Sequence, residues 1–397
     1  MSLWRLYSII NKMKNYFSSD FKLGILGGGQ LGKMLLYETR KYDIQTYVLD
    51  PSDQAPCRIA CNHFQQGDLL DYQTVYAFGK QVDVLTIEIE AVNVEALATL
   101  EKEGVTVYPS SDTLRKIQDK GTQKKFYATH HIPTADFQVF EGKADLLAHL
   151  KAEKWDFPFV WKSRKGGYDG RGVSVVTTAD EVAQLPDTPC LIEKKIPFKN
   201  ELAVIVARNP SGEVKTFPVV EMEFHPVANQ VEYVICPARI ESAVSTKARA
   251  VAQQVATAFE HVGLLAVEMF QTQEDNILVN EVAPRPHNSG HYSIEAAYTS
   301  QFEQDLRAIL DLPLGNTDSK VGGVMVNLVG AEDYQGPVHY ENMDKILSLP
   351  GVIPHIYGKA ETRPFRKMGH VTIVDKDLNE ARRIAEKVKG MVRVVSL

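Results

Sequence analysis

The sequence predicts an α/β N-terminal domain on a parallel sheet, followed by α+β lobes and a small C-terminal subdomain. Three observations carry this. From Phe21 onward short apolar runs alternate with helical periodicity, the grammar of a parallel sheet. Beyond Pro133 strands follow one another with few helices between them, which is antiparallel grammar. The chain has 397 residues, too many for one compact core.

The elements follow in order. Phe21–Leu26 reads as a strand, Gly27–Gly32 as a glycine turn, Leu31–Tyr42 as a helix and Ile44–Leu49 as the next strand. Val82–Glu88 is a strand, Val94–Glu103 a helix, and Asp112–His130 one helix ending before Pro133. Strands are expected at Phe159–Lys162, Val173–Thr177, Cys190–Glu193, Leu202–Arg208, Lys215–Glu221 and Val231–Ile235. Thr246–His261 and Gln301–Leu310 are helical. The tail from Lys320 holds strands at Val324–Leu328 and Val371–Val374 and a helix at Asn379–Lys389.

Composition narrows the class. With 44% hydrophobic and 24% charged residues the chain is an ordinary globular protein. A formal net charge of -6 argues against a general nucleic-acid or membrane binder, though not against a local basic pocket. The four cysteines, Cys57, Cys61, Cys190 and Cys236, match no common zinc spacing and read as free thiols in a reducing, cytoplasmic setting. No apolar run is long enough to span a bilayer. Residues 1–20 stand apart as an amphipathic leader, poorly ordered, with Leu6, Ile9, Ile10, Met13 and Phe17 at helical spacing.

The most informative motif is LAVEMFQTQEDNILVNEVAPRPHNSGH. Leu264–Phe270 and Ile277–Val282 read as the strands of a hairpin around Gln271–Asn276. With Glu274 and Asp275 as the turn centre, Glu268 falls opposite Glu281. Like charges on one face repel, and a dication between them would reverse the sign. Magnesium takes one or two carboxylates and leaves its other positions to water and phosphate oxygens. The hairpin therefore reads as a metal-nucleotide platform.

Two glycine loops could serve the nucleotide. Gly27, Gly29 and Gly32 satisfy G-x-G-x-x-G between a strand and a helix, and Asp50 ends the next strand. That pattern admits a dinucleotide, another phosphate ligand or mere tight packing. The loop from Gly166 to Gly172 instead joins strand to strand, so it is no Walker loop and reads as a flap closing over phosphates. Lys162 and Arg171 add cations, and Tyr168 and Asp169 exceed what a flexible loop needs, which points them at substrate. An ordinary surface hairpin explains the glycines but not this combination. Glu193 and Glu201 lie at strand ends, suited to adenosine recognition or to plain solvation. Arg285, His287, Asn288, Ser289 and His291 form a donor-rich loop stiffened by Pro284 and Pro286. Lys359 and the run Arg363–His370 make a basic cluster, an anion site or a solvated loop.

Together GGGQLGKM, TIEIE, QDKGTQK, GGYDGRG, NEVAPRPHNSGH and RKMGH, in that order from about Phe21 to His370, closely resemble the N5-carboxyaminoimidazole ribonucleotide synthetases of the ATP-grasp superfamily. The resemblance implies an N-terminal substrate domain over 21–115, a lid lobe over 116–190, a central ATP-grasp lobe over 191–320 and a C-terminal subdomain over 321–397. It implies an ATP-dependent carbon-nitrogen ligase of purine biosynthesis. Bicarbonate is phosphorylated to carboxyphosphate, which carboxylates the amine of aminoimidazole ribonucleotide. It also implies a homodimer, with small-molecule substrates and no nucleic-acid or membrane partner.

Carried over by position, ATP would meet Lys120, Lys162, Gly167, Tyr168, Asp169, Gly170, Arg171, Gly172, Val173, Glu193, Lys194, Lys195, Ile196, Glu201, Asn280 and Glu281. Glu268 and Glu281 would hold Mg2+. Tyr168, Asp169, Arg171, His287 and Asn288 would be catalytic. The ribonucleotide and bicarbonate would meet Gln30, Glu88, Arg285, His287, Asn288, Ser289, Lys359, Arg366 and Lys367. The chain departs from the family pattern twice. Phe224 stands where a histidine is common, with His225 after it, and Phe365 replaces the usual glycine before RKMGH. Three alternatives are another ATP-grasp ligase, such as a formate-dependent ribonucleotide transformylase, a nicotinamide-dependent dehydrogenase, and a non-catalytic nucleotide sensor that binds MgATP without turnover. The dehydrogenase leaves the flap and the acidic hairpin unused.

Overall fold

A computed structural model describes residues 15–152, 155–166, 172–226 and 230–397. The expected flap residues Gly167, Tyr168, Asp169, Gly170 and Arg171, and most of the leader, lie outside the described residues. The leader's last residues are described, and there Tyr16 packs edge-on against Phe21 with ring centroids 5.1 Å apart.

The N-terminal domain is a parallel sheet ordered β3-β2-β1-β4-β5, as the alternating pattern predicts. Its strands are β1 (Lys22–Leu26), β2 (Gln45–Asp50), β3 (His63–Gln66), β4 (Val84–Ile87) and β5 (Thr106–Val107). Helices α1 (Gln30–Lys41), α2 (Tyr72–Gly79) and α3 (Val94–Lys102) connect them. Leu23, Ile25, Val48 and Val84 are fully buried or nearly so, because a parallel strand has both faces covered.

The expected single helix over Asp112–His130 is two helices, α4 (Ser111–Ile117) and α5 (Lys120–Thr129). Asp119 breaks it. Its carboxylate accepts the Thr122 N–H at 3.0 Å, the bond of an N-cap, and also pairs with Arg164 at 2.8 Å. Helical spacing continued through the break, so periodicity alone concealed it. The break places Lys120 at the start of a helix, where it can reach into a cleft.

A four-stranded antiparallel sheet, β6-β9-β7-β8, forms the lid. It comprises β6 (Phe137–Phe140), β7 (Phe159–Ser163), β8 (Val173–Val176) and β9 (Cys190–Lys194), with helices α6 (Lys143–Ala152) and α7 (Ala179–Gln184). A nine-stranded sheet makes the rest, ordered β15-β14-β10-β12-β13-β16-β20-β18 with β11 beside β10. Its strands are β10 (Phe198–Arg208), β11 (Val214–Thr216), β12 (Val220–Phe224), β13 (Val231–Cys236), β14 (Gly263–Thr272) and β15 (Ile277–Ala283), then β16 (Gly322–Val329), β18 (Val352–Ile356) and β20 (Lys367–Asp375). The expected strand Lys215–Glu221 is thus interrupted; Pro218, which has no N–H for the ladder, lies in the gap between β11 and β12. Strands of the tail extend the same sheet, so the central lobe and C-terminal region share one backbone ladder.

Helix α8 (Ser242–Ala258) covers the sheet with Val244, Ala248, Ala252, Val255 and Ala256 buried, a small-residue stripe that lets helix and sheet approach closely. Helix α10 (Gln301–Ile309) packs Phe302, Leu306 and Ile309 against the N-terminal domain. Helix α12 (Leu378–Met391) buries Ala381, Ile384, Ala385 and Val388 on the tail strands. No described helix is long and apolar enough to cross a membrane.

Candidate active site

Glu268 pairs with Glu281 across β14 and β15, the predicted register. Two deviations from a regular hairpin cancel to produce it. Near the turn Gln271 pairs with Ile277 and Met269 with Val279, because the loop is Gln273, Glu274 and Asp275 rather than a two-residue turn. Asp275 adopts φ 61°, the left-handed conformation that closes such a three-residue loop. A β-bulge between Glu268 and Met269 then leaves Asn280 as an extra residue and restores Glu268 to Glu281. Bulges re-aim side chains beside functional sites. Without this one, Glu268 would face Asn280.

The two carboxylates are not equivalent. The Lys120 ammonium, reaching Glu281 from the start of α5, holds that carboxyl below the usual carboxylate range. Burial, then the charges of Glu281 and Glu201, push Glu268 above it. Burial also raises Glu201 to about 7, against the pull of Lys162. The Glu268 Oε1 lies 3.3 Å from His287 Nε2. The donor set fits Mg2+: two facing carboxylates with an amide oxygen beside them are hard oxygen ligands, and their mutual repulsion is what a dication would relieve. Among the described residues no group of three His, Cys, Asp or Glu is gathered as a transition-metal site would require.

A second charge cluster joins lid and platform. Glu193 on β9 pairs with Lys162 at 3.0 Å and with Lys124 at 3.1 Å. Lys162 also donates to Asn280 Oδ1 at 2.9 Å, so the bulged residue receives the lid's lysine. Lys124 donates to Thr134 Oγ1 at 2.5 Å. Burial lowers its proton affinity to about 8, against the Glu193 charge. Burial opposes ionisation of Glu193, but the two lysines together hold it below its ordinary value. Gly172 anchors the flap's end, its carbonyl accepting the Ser163 N–H at 2.8 Å, and Val173 pairs with Lys162. Lys194 and Lys195 are exposed and Ile196 half-buried, where the chain leaves the lid sheet.

The donor-rich loop bridges platform and N-terminal domain. Arg285 pairs with Glu90 at 3.0 Å. The Ser289 N–H donates to His287 Nδ1 at 3.3 Å, which puts the ring proton on Nε2, facing Glu268. Asn288 exchanges two 2.8 Å hydrogen bonds with Asn327 of β16.

The glycine turn does not have the dinucleotide arrangement. Asp50 accepts the Gly28 N–H at 2.7 Å and the Ser52 N–H at 2.8 Å, so its carboxylate is taken up in tying the glycine turn to the loop after β2. Glu88 lies over the turn, accepting the Leu31 N–H at 3.3 Å, and a Cβ on Gly29 would come within 2.3 Å of Glu88 Oε1. Burial raises the proton affinity of Glu88, with Arg285 opposing. Gln30 opens α1 beside it, half-buried. In the tail, Lys359 donates to the Lys367 carbonyl and Arg366 to the Glu361 carbonyl, both at 2.7 Å. Phe365 takes φ 59°, the left-handed conformation for which glycine is the usual residue. Lys33 donates to the Ile356 carbonyl at 3.0 Å, tying α1 to the strand before Lys359.

The candidate residues are thus brought together in three adjoining contacts: Lys120 with Glu281, His287 with Glu268, and Lys162 with Glu193 and Asn280. Sequence reasoning missed Lys124, Glu90, Asn327 and Gln301. Lys124 follows Lys120 by one helical turn, and Glu90 stands two residues after Glu88 in TIEIE, so both carried a usable signal. Asn327 and Gln301 carried none, because only packing brings them to the loop.

Comparison with known proteins identifies the family of the chain. Residues 21–118 match the ribonucleotide synthetase preATP-grasp domain, 125–302 the ATP-grasp domain and 323–384 the phosphoribosylaminoimidazole carboxylase C-terminal domain. The N5-carboxyaminoimidazole ribonucleotide synthase of Synechococcus elongatus is 38% identical over 356 residues, covering 88% of this chain and 89% of that protein. The N5-carboxyaminoimidazole ribonucleotide synthetase structure from Thermotoga maritima aligns with TM-score 0.87 and 41% identity, covering 95% of this chain and all of that one. The Aspergillus clavatus N5-carboxyaminoimidazole synthase, solved with ADP and 5-aminoimidazole ribonucleotide, aligns with TM-score 0.85 and 34% identity, covering 94% and 98%. On its three matched domains and these full-length relatives, the chain belongs to the N5-carboxyaminoimidazole ribonucleotide synthase family of ATP-grasp ligases.

Proposed function

We propose that this ligase uses ATP and bicarbonate to carboxylate 5-aminoimidazole ribonucleotide on its amine, releasing ADP and phosphate. The observation that carries the proposal is the facing pair Glu268 and Glu281, with Lys120 paired to Glu281, His287 beside Glu268 and Lys162 donating to the bulged Asn280 beside them. Phosphoryl transfer needs positioning and charge neutralisation rather than a covalent nucleophile. Lys120 and Lys162 supply fixed positive charge on the ATP side, and Glu193 orients Lys162. Mg2+ held by Glu268 and Glu281 beside Asn280 would neutralise phosphate oxygens when bound.

Carboxyphosphate is labile in water, so the acceptor amine has to be in place when it forms. Arg285, His287, Asn288 and Ser289 lie between the acidic pair and the N-terminal domain, where they would orient that acceptor. Lys359, Arg366 and Lys367 suit the ribonucleotide phosphate. The flap residues Gly167 to Arg171 would close over the site. The division into 21–115, 116–190, 191–320 and 321–397 follows these tasks. A cytoplasmic homodimer completes the reading, as the family resemblance implies.

The test is ADP release with ribonucleotide and bicarbonate, each omitted in turn. Release that requires both, together with loss of the free amine, is expected. Release supported by formate in place of bicarbonate would favour a transformylase and refute the proposal.

A further inference from the structure

We propose that Gln301 is a positioning residue that sets the geometry of His287, and through it the coupling of ATP use to carboxylation. The inference rests on reading His287, Asn288 and Ser289 as the substrate loop. Gln301 belongs to no recognised motif. It is fully buried at the first turn of α10, 14 residues beyond His287.

Its side-chain amide makes three hydrogen bonds. Oε1 accepts the His287 N–H at 2.8 Å, and Nε2 donates to the His287 carbonyl at 2.8 Å and to His291 Nδ1 at 2.9 Å. A backbone N–H only donates and a carbonyl only accepts, so the amide orientation is fixed. His291 must then accept at Nδ1 and carry its proton on Nε2. Glutamine alone among the side chains of this length offers one acceptor and two donors in this fork. A carboxylate cannot donate to the His287 carbonyl, and an ammonium cannot accept from its N–H.

The clamp is itself held. The Gln301 N–H donates to Ser293 Oγ at 2.8 Å, and that hydroxyl donates to the Gly290 carbonyl at 2.5 Å. His291 stacks on His370 of β20 with ring centroids 4.7 Å apart, and His370 stacks on His355 at 4.5 Å. Gly290 has no room for a side chain, since a Cβ would meet Gln301 Oε1 at 2.3 Å. The His287 backbone is thereby fixed at both its polar groups. Its ring is aimed with Nδ1 at Ser289 and Nε2 at Glu268. Releasing the clamp would leave the Glu268–Glu281 register and the pairs made by Lys120 and Lys162 in place while letting His287 turn away from Glu268.

The test uses full-length Gln301→Glu and measures ADP release and ribonucleotide carboxylation in the same assay. The ratio of ADP to carboxylated product is expected to rise about fivefold or more, with KM for ATP within about twofold of wild type. Gly290→Ala, which displaces the same amide from the other side, is expected to reproduce the effect and guards against a misfolded first variant. The double variant His287→Ala/Gln301→Glu is expected to be no worse than His287→Ala alone, because the clamp acts through His287. Multiplying effects, or an equal fall in ADP and product, would overturn the inference. If His287→Ala disrupts coupling while Gln301→Glu and Gly290→Ala keep it, only the clamp is refuted. If His287→Ala itself keeps wild-type coupling, the substrate-loop reading fails and the clamp with it.

Discussion

Replacing Glu193 with glutamine tests the charge logic of the site most directly. Glu193, Lys124 and Lys162 have side chains 4%, 3% and 9% exposed, and the one carboxylate neutralises both ammoniums at 3.0 and 3.1 Å. Breaking a buried pair leaves uncompensated charge and costs about 3–5 kcal/mol. Glu193→Gln removes the counter-charge of two cations at once, so a loss at the upper end of that range, about 4–5 kcal/mol, is expected. The loss carries a pH signature. Burial already lowers Lys124 to about 8 against its ordinary 10.5, and losing Glu193 lowers it further. Between the folded and unfolded values the unfolded chain binds more protons, so stability rises with pH. The deficit of the variant is therefore greatest near pH 6 and shrinks toward pH 10. Urea unfolding followed by fluorescence at several pH values measures it. A Lys162 held by Asn280 alone would also raise KM for ATP by about tenfold, the equivalent of about 1.4 kcal/mol. A loss under about 1 kcal/mol, or a deficit that grows as pH rises, would refute this account.

Three other outcomes are expected. Glu281→Gln should abolish ADP formation while leaving the circular dichroism spectrum unchanged; full activity would remove the metal assignment. Arg366→Ala should raise KM for the ribonucleotide about tenfold or more and KM for ATP less than about twofold, as loss of one charge-assisted contact to phosphate predicts; an unchanged ribonucleotide KM would remove Arg366 from the site. Burial raises Asp305 to about 7, and its carboxylate accepts the Leu264 N–H at 3.0 Å. A raised carboxyl is most favourable while protonated, so wild-type stability falls as pH climbs from about 4 through about 7. Asp305→Asn keeps the acceptor and should stabilise the protein at pH 8 by about 1–3 kcal/mol, read from thermal unfolding, with little effect at pH 4. A variant less stable at pH 8 would exclude that penalty.

The glycine turn shows where local pattern stops. G-x-G-x-x-G followed by Asp50 is nearly a dinucleotide fingerprint in one dimension, yet Asp50 is bonded to the Gly28 amide of the turn and Glu88 covers it. A fingerprint specifies backbone shape, and the occupant of that shape arrives from another strand. The hairpin teaches the same lesson. Its register was legible, but through a three-residue loop and a compensating bulge at Asn280 that alternation of apolar residues cannot encode.

The parallel N-terminal sheet, the acidic hairpin and the order of motifs that carries the family were readable from the residues, because periodicity, turn chemistry and ligand type are local properties. The buried Lys124–Glu193–Lys162 cluster and the Gln301 clamp came into view with the packed fold alone. Each of these depends on contacts between residues distant in the chain. Such contacts follow from how layers pack, where burial and charge compensation select partners that spacing does not reveal.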